Sequence, residues 1–415
     1  MYEGEAWVMK WLEGVGVTGP KGFKAAGIHA GIKRKKLDLG LIVADEPCSV
    51  AAVYTTNVVQ AGCIKVTKAH LANHVAQAVI VNSGNANACT PSGKPDAMAM
   101  CTYAADELGI RACDVVVAST GIIGQPLPLE KIEKAMPKLA TKLDIGPAVD
   151  TDLAVAIMTT DLTLKQVACR IQLAGKEIVI AGVAKGSGMI HPNMATMLAF
   201  MTTDVAITPV LLQKALSEVT ESTFNSISVD GDTSTNDMST VMASGAAGNK
   251  RIDNEDDDYD IFKNALKEVC LVLAKKIAED GEGATKLITC VVGGCKTDAD
   301  AKAISMSVNA SSLVKTAITG ADANWGRVLC AMGYSGVDFD PEAVDVAFKS
   351  NAGAITVCQD GAGLEFDEEK ATAILNEKEI TIDIKIKTTG HEASWTTYGC
   401  NLTNEYVRIN GDYRS

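Results

Sequence analysis

The chain lacks an excess of basic residues: 38 Lys and Arg stand against 51 Asp and Glu, a formal charge of −13. Nucleic acid and anionic membrane surfaces would be repelled, so neither is expected as a main partner. A small anionic substrate stays compatible, because one local lysine outweighs a distant acidic surface. The chain also has no uninterrupted apolar stretch near the ~20 residues that a membrane span requires. Its opening, Met1-Tyr2-Glu3-Gly4-Glu5, is acidic and lacks the basic region and apolar core of a secretory signal, so a cytoplasmic protein is expected. There is no CxxC pair. The twelve cysteines are scattered, mostly in apolar runs such as Ile288-Thr289-Cys290-Val291-Val292, which suits buried free thiols better than a disulfide frame or a metal site. Internal repeats and low-complexity linkers are absent too, so any two halves are expected to pack together.

What is present is a chain of 415 residues, 47% hydrophobic and 21% charged, ordinary for a large globular core. That length allows two domains or one layered unit dividing into halves. Strand-like and helix-like segments alternate without a run of similar βαβ units, which predicts an α/β protein of mixed sheets rather than a doubly wound parallel sheet. Strands are expected over residues 37–44, 49–55, 114–118, 166–173, 177–184, 286–292, 343–348, 354–358 and 380–387. Helices are expected over 96–108, with Gly109 as its stop, and over 129–140, 148–158, 208–224, 259–278 and 301–317. The basic run Lys33-Arg34-Lys35-Lys36 reads as a solvated loop rather than a binding patch. Residues 399–415 lack the composition of a disordered tail, because Tyr406, Val407, Ile409 and Tyr413 favour burial.

The stretch around which the chemistry gathers is Lys185-Gly186-Ser187-Gly188-Met189-Ile190-His191-Pro192-Asn193-Met194-Ala195-Thr196-Met197-Leu198-Ala199-Phe200. Its Gly- and Pro-rich first part cannot be a regular helix or central strand, and at Ala195-Thr196 it turns into an apolar run suited to a buried strand, expected to reach about residue 203. Were the bond before Thr196 cut, Thr196 would hold a nucleophilic hydroxyl and a general base, its own α-amine, in one residue. That amine has a reference pKa of about 7.7 to 8.0 and can accept the hydroxyl proton near neutrality. The same residue also reads simply as a β-branched strand start. The stretch lacks the GxxxxGK[ST] spacing of a phosphate-binding loop, which weighs against a non-catalytic nucleotide binder.

Three further segments have chemical potential. Ser119-Thr120-Gly121-Ile122-Ile123-Gly124 ends a strand in a hydroxyl and glycines, the arrangement from which backbone donors can point at developing negative charge; a plain turn has the same composition. Glu282, between Gly281 and Gly283, is either exposed polarity or a partner for a substrate ammonium. The acidic loop Ser228-Val229-Asp230-Gly231-Asp232-Thr233-Ser234-Thr235-Asn236-Asp237 only partly matches a calcium loop, because its Gly comes early and the later Glu is missing, so no metal is expected there.

Taken together, residues 185–200 and the blocks at 19–31, 82–89 (Asn82-Ser83-Gly84-Asn85-Ala86-Asn87-Ala88-Cys89), 119–124, 280–285, Asn324-Trp325-Gly326-Arg327 and 406–415 resemble, in order, the glutamate N-acetyltransferase or ornithine acetyltransferase family of arginine biosynthesis. The resemblance implies a layered α/β sandwich of mixed sheets flanked by helices, self-processed between Ala195 and Thr196. Its products would be an α chain, 1–195, holding the oxyanion loop and part of the substrate pocket, and a β chain, 196–415, holding the nucleophile, substrate contacts and the C-terminal wall. These are expected to associate as an α2β2 heterotetramer. The implied reaction moves acetyl from N2-acetyl-ornithine to glutamate through an acetyl-Thr196 intermediate, without metal or organic cofactor; acetyl-CoA is a second donor in some relatives. By the same resemblance Thr196 is the nucleophile, Thr120 and Gly121 the oxyanion pair, and Thr159, Lys185, Thr196, Glu282, Asn410 and Ser415 the substrate contacts. A self-processing amidase or aminopeptidase, with water as acceptor, is the nearest alternative. The chain departs from the family pattern at Asn401 (commonly Asp), Asn404-Glu405, Gly411 and Ser415. Asn401 removes a charge near the C-terminal wall, which leaves substrate preference less defined than reaction type.

Overall fold

A computed structural model describes residues 9–191, 197–387 and 390–411. Ala195, Thr196 and Ser415 therefore lie outside the described residues. Two compact units are distinguished: one comprises Met1–Gly186, Asn193–Asn225 and Thr233–Leu273, the other Ser187–Pro192, Ser226–Asp232 and Ala274–Ser415. These are units of compactness, whereas the expected 1–195 and 196–415 chains are defined by a covalent cut.

The first unit contains strands β1 (Lys10–Trp11), β2 (Phe23–Ile28), β3 (Leu39–Tyr54), β4 (Val75–Asn85), β5 (Val115–Ile122), β6 (Lys165–Leu173), β7 (Lys176–Lys185) and β8 (Leu198–Thr203). With β9 (Ile227–Ser228) assigned to the second unit, β10 (Met238–Ala243) completes the first sheet in the order β1-β6-β7-β8-β10-β3-β4-β5, with β2 beside β3. The pairs β4–β5 and β8–β10 are parallel and the others antiparallel, so the sheet is mixed as expected. Every residue of β8 and β10 is buried, which explains why 198–203 reads as an apolar run without alternation.

The strands expected at 166–173 and 177–184, β6 and β7, pair as a hairpin, with Ala174 at φ 44° and Gly175 at φ 77°, the pair of positive angles that lets a two-residue turn follow the strand twist. The two strands expected at 37–44 and 49–55 are one. β3 runs through both, and its register against β4 shifts between Val43 and Cys48, where Asp45, Glu46 and Pro47 are exposed. A proline without an N–H is tolerated there because the ladder is already interrupted. Helix Gly93–Leu108 ends, as expected, on Gly109 at φ 67°. Helix Pro147–Ile157 packs on β2 and β3, and helix Gly62–His70 on β5.

The second unit holds β11 (Leu287–Cys295), β12 (Val344–Ser350), β13 (Gly353–Gln359), β14 (Ala362–Gly363), β15 (Glu379–Ile386) and β16 (Ala393–Cys400), ordered β14-β13-β12-β15-β11-β16-β9. Here β11–β15 and β9–β16 are parallel. Its core gathers Ile288, Val292, Ile304, Val346, Phe348 and Ile382, among others. The single helix expected at 301–317 is two, Asp298–Ala310 and Ser312–Thr319, because Ser311 adopts an extended conformation and its side chain caps the second by accepting from the Val314 N–H. The C-terminal expectation fails in part: residues 404–411 are helical, but Val407 is 68% exposed. The α/β fold class is borne out: two mixed sheets, with helices packed on their strands.

Nine cysteines are buried, but Cys89, Cys113 and Cys330 are exposed, so the expectation of interior thiols holds only for the majority. Burial pushes the Cys48 thiol up to about 12, leaving it protonated and inert. No described helix is long and apolar enough to cross a membrane.

Candidate functional site

In the first unit β5, which carries Thr120 and Gly121 near its end, runs parallel to β4, with Ser83 opposite Thr120 and Gly84 opposite Gly121. Gly121 has φ +133°, and a Cβ there would stand 2.4 Å from the Gly84 carbonyl carbon and 2.6 Å from the Asn85 nitrogen. Only glycine permits this approach, which leaves Thr120 half-buried at the strand end. The neighbouring small polar residues are structural: the Ser83 hydroxyl donates to the Ala156 carbonyl at 2.5 Å, and the Asn82 amide donates to the Asn85 carbonyl at 3.0 Å.

The ammonium of Lys185, a residue only 5% exposed at the end of β7, donates to Thr120 Oγ1 at 3.4 Å. The next residue, Gly186, donates its N–H to Asp161 Oδ1 at 2.7 Å, and Thr159 donates its N–H to Asp161 Oδ2 at 2.9 Å. Lys165 also donates to Asp161 at 2.8 Å, with both side chains fully buried. Burial opposes charge on Asp161, but Lys185, Lys165 and these hydrogen bonds outweigh it and hold the carboxyl well below the usual carboxylate range. Of the expected residues, Thr120 and Gly121 are thus joined through Lys185 to the Thr159 segment, because Asp161 ties Thr159 to Gly186, the residue after Lys185.

In the second unit the Gly-rich stretch is held from several sides. Asp230 accepts from the N–H groups of Met189 and Ile190 at 2.5 and 2.8 Å, and the Ser187 carbonyl accepts from Glu282 N–H at 2.9 Å. Glu282 is 6% exposed and accepts from the Asn410 amide at 2.6 Å. A Cβ on Gly188 would lie 2.4 Å from the Glu282 carboxylate, so a glycine there lets the backbone pass beside that charge. His191 is pushed below its usual value chiefly by burial, against the pull of Asp230 and Asp232.

The acidic loop is a strut. Asp230 holds the Gly-rich backbone, and Asn236 donates to the carbonyls of Ala86 and Ser119 at 2.5 and 2.9 Å. Among the described residues no three His, Cys, Asp or Glu side chains are grouped to hold a metal. Asp237 is 2% exposed with Oδ2 unpartnered, and burial drives its carboxyl well above the usual range, against the pull of Lys185. Asn401 is also structural: its Oδ1 accepts from the N–H groups of Thr285 and Lys286, and its amide donates to the hydroxyls of Thr285 and Thr319, all at 2.9 to 3.0 Å. An Asp would offer an acceptor in place of the amide donor, so the Thr285 and Thr319 hydroxyls would have to donate to it instead.

Asp161, Asp230 and Asp237 are absent from the expected site. Asp161 did have a signal, a short acid two residues after Thr159 at the mouth of a hairpin, where Asp favours side-chain to backbone bonds. For Asp237 there was none, since only burial makes it unusual.

Thr120→Val keeps the β-branched shape and removes one hydroxyl donor. If that hydroxyl stabilises an oxyanion, kcat is expected to fall about 10²- to 10³-fold with little change in KM. A raised KM at unchanged kcat would reassign Thr120 to binding. Gly121 is the poorer probe, because any side chain there separates β4 from β5.

On the first unit's mixed sheet, then, a hydroxyl near the end of a strand stands beside the ammonium of a buried lysine. Residues 24–415 match the family model described as the ArgJ family. The arginine biosynthesis bifunctional protein ArgJ of Caldanaerobacter subterraneus subsp. tengcongensis is 48% identical over 397 residues, covering 95% of this chain and 98% of the relative. The ArgJ protein of Symbiobacterium thermophilum is 48% identical over 411 residues, covering 98% and 100%. A crystal structure of ornithine acetyltransferase from Mycobacterium tuberculosis, complexed with ornithine, is 38% identical with a TM-score of 0.42, covering 45% of this chain and 99% of that one. The chain belongs to the ArgJ family, as the resemblance of its motifs implied, and is a transferase of arginine biosynthesis.

Proposed function

We propose that this enzyme cuts itself between Ala195 and Thr196 and then moves acetyl from N2-acetyl-L-ornithine to L-glutamate, with acetyl-CoA as a second donor. The observation that supports this most directly is the ammonium of the buried Lys185 held against the Thr120 hydroxyl, one residue before Gly121.

In self-cleavage the Thr196 hydroxyl adds to the Ala195 carbonyl, its proton passes to the departing nitrogen, and water releases the resulting ester. In turnover the freed amine takes the Thr196 hydroxyl proton as Oγ adds to the acetyl carbonyl. The oxyanion is stabilised by Thr120 and the Gly121 N–H. Collapse returns the proton to the amine of the leaving ornithine, and the amine of glutamate then attacks acetyl-Thr196 in the reverse sequence. Lys185 pairs with a substrate carboxylate and Glu282 with an ammonium; Thr159, Asn410 and Ser415 complete the contacts. The 1–195 and 196–415 chains stay associated as an α2β2 heterotetramer in the cytoplasm.

Incubating the purified enzyme with acetyl-ornithine is expected to release ornithine stoichiometrically with acetyl-glutamate when glutamate is present and not to turn over when it is omitted. Acetate release independent of glutamate would instead establish an amidase.

A further inference from the structure

The basic run at 33–36 divides in the folded chain. Arg34, Lys35 and Lys36 are exposed, as expected of a solvated loop, but Lys33 is turned inward. Asp38, fully buried, sets that turn by accepting from the N–H groups of Ala30, Gly31 and Lys33 at 2.6, 3.1 and 2.8 Å. The Lys33 stem then crosses Gly84: its Cγ lies 2.8 Å from where a Cβ on that glycine would be. Gly84 is the register partner of Gly121, so the stem passes over the strand neighbour of the oxyanion residue. At its tip, Lys33 Nζ donates to the Met158 carbonyl at 2.9 Å, the carbonyl that precedes Thr159.

Lys33 thus touches the flank of two of the three segments that form the first unit's site, and lies within electrostatic range of Asp161 on the second and of Lys185 on the third. Three ammonium groups, Lys33, Lys165 and Lys185, interact electrostatically here with two carboxylates, Asp38 and Asp161, while Asp237, the further carboxyl in range of Lys185, is driven toward its neutral form by burial. The balance favours an incoming anion. One hydrogen of the Lys33 ammonium is used by Met158, and two more are available by its chemistry. Burial brings its pKa down to about 8, against the pull of Asp38, so it is mainly charged at neutral pH and gains from a carboxylate partner.

We propose that Lys33 is a specificity residue that binds the side-chain carboxylate of the acetyl acceptor, while Lys185 takes the other carboxylate. This rests on the donor and acceptor assigned above. A dicarboxylic acceptor such as glutamate would engage Lys33, and ornithine, whose side chain ends in an ammonium, would not.

The test uses Lys33→Met, which keeps the apolar stem, and compares two acceptors of acetyl from acetyl-ornithine: glutamate and isotopically labelled ornithine. The kcat/KM for glutamate is expected to fall about 10- to 100-fold more than that for ornithine, the scale of one lost charge-assisted bond. Lys33→Arg should recover part of the difference. Equal losses with both acceptors, or none with either, would overturn the assignment and leave Lys33 as a clamp on Met158, which a lowered Tm would also register. If the unsubstituted enzyme transfers acetyl to neither acceptor, the functional reading fails first and this inference with it.

Discussion

Replacing Thr196 with Ala is expected to leave a single polypeptide with no measurable turnover. The substitution deletes the hydroxyl that adds to the Ala195 carbonyl, so the bond stays intact and the α-amine that would serve as general base is never released. Both losses follow from one oxygen atom. Thr196→Ser retains that oxygen and should still yield two chains, of 195 residues and 415 − 195 = 220 residues. Mass spectrometry and a denaturing gel read the outcome directly. A fully processed Thr196→Ala protein would transfer the cleaving role elsewhere and sink the mechanism.

The second large effect concerns stability. Asp161→Ala would leave Lys165 fully buried without its carboxylate and release the N–H groups of Gly186 and Thr159. Breaking a buried ion pair from one side costs about 3 to 5 kcal/mol, because the remaining charge has no solvent to return to. For a unit of this size, that is a fall in Tm on the order of 10 °C. The double change Asp161→Ala with Lys165→Met should restore part of it, since no charge is then stranded. A Tm within a degree or two of the parent for Asp161→Ala would show that the pair is not integral to the fold.

The same carboxylate sets an acid limit. The folded pKa of Asp161 is depressed, so its stabilisation is fully present above the unfolded value, near 3.9, and drains away as pH falls through the lower folded value. Acid titration of the Asp161→Ala protein should therefore show a shallower loss of stability below about pH 4 than the parent.

Local pattern made much of this architecture legible. The hairpin of β6 and β7, the stop at Gly109 and the buried strand after Thr196 each follow from neighbours within a few residues. Failures arose where a local pattern met a distant constraint. Ser311 interrupts what periodicity reads as one helix because its hydroxyl serves as a cap. Asp45-Glu46-Pro47 reads as a break, yet β3 continues through it because pairing with β4 resumes on the far side. Lys33 looks like its three basic neighbours in sequence, and only Asp38 and the space above Gly84 distinguish it.

By itself the sequence determined the order of elements, the mixed α/β class, the family, and the covalent possibility that a threonine becomes a chain start. These depend on residue type and short-range spacing, which a linear string records in full. Tertiary structure alone decided which charges are buried together and which polar groups are struts. Asn236 bonds to carbonyls 117 and 150 residues away, and Asn401 to N–H groups 115 and 116 residues away. Desolvation and charge pairing act across space, and no local spacing encodes which distant group will stand at hydrogen-bonding distance.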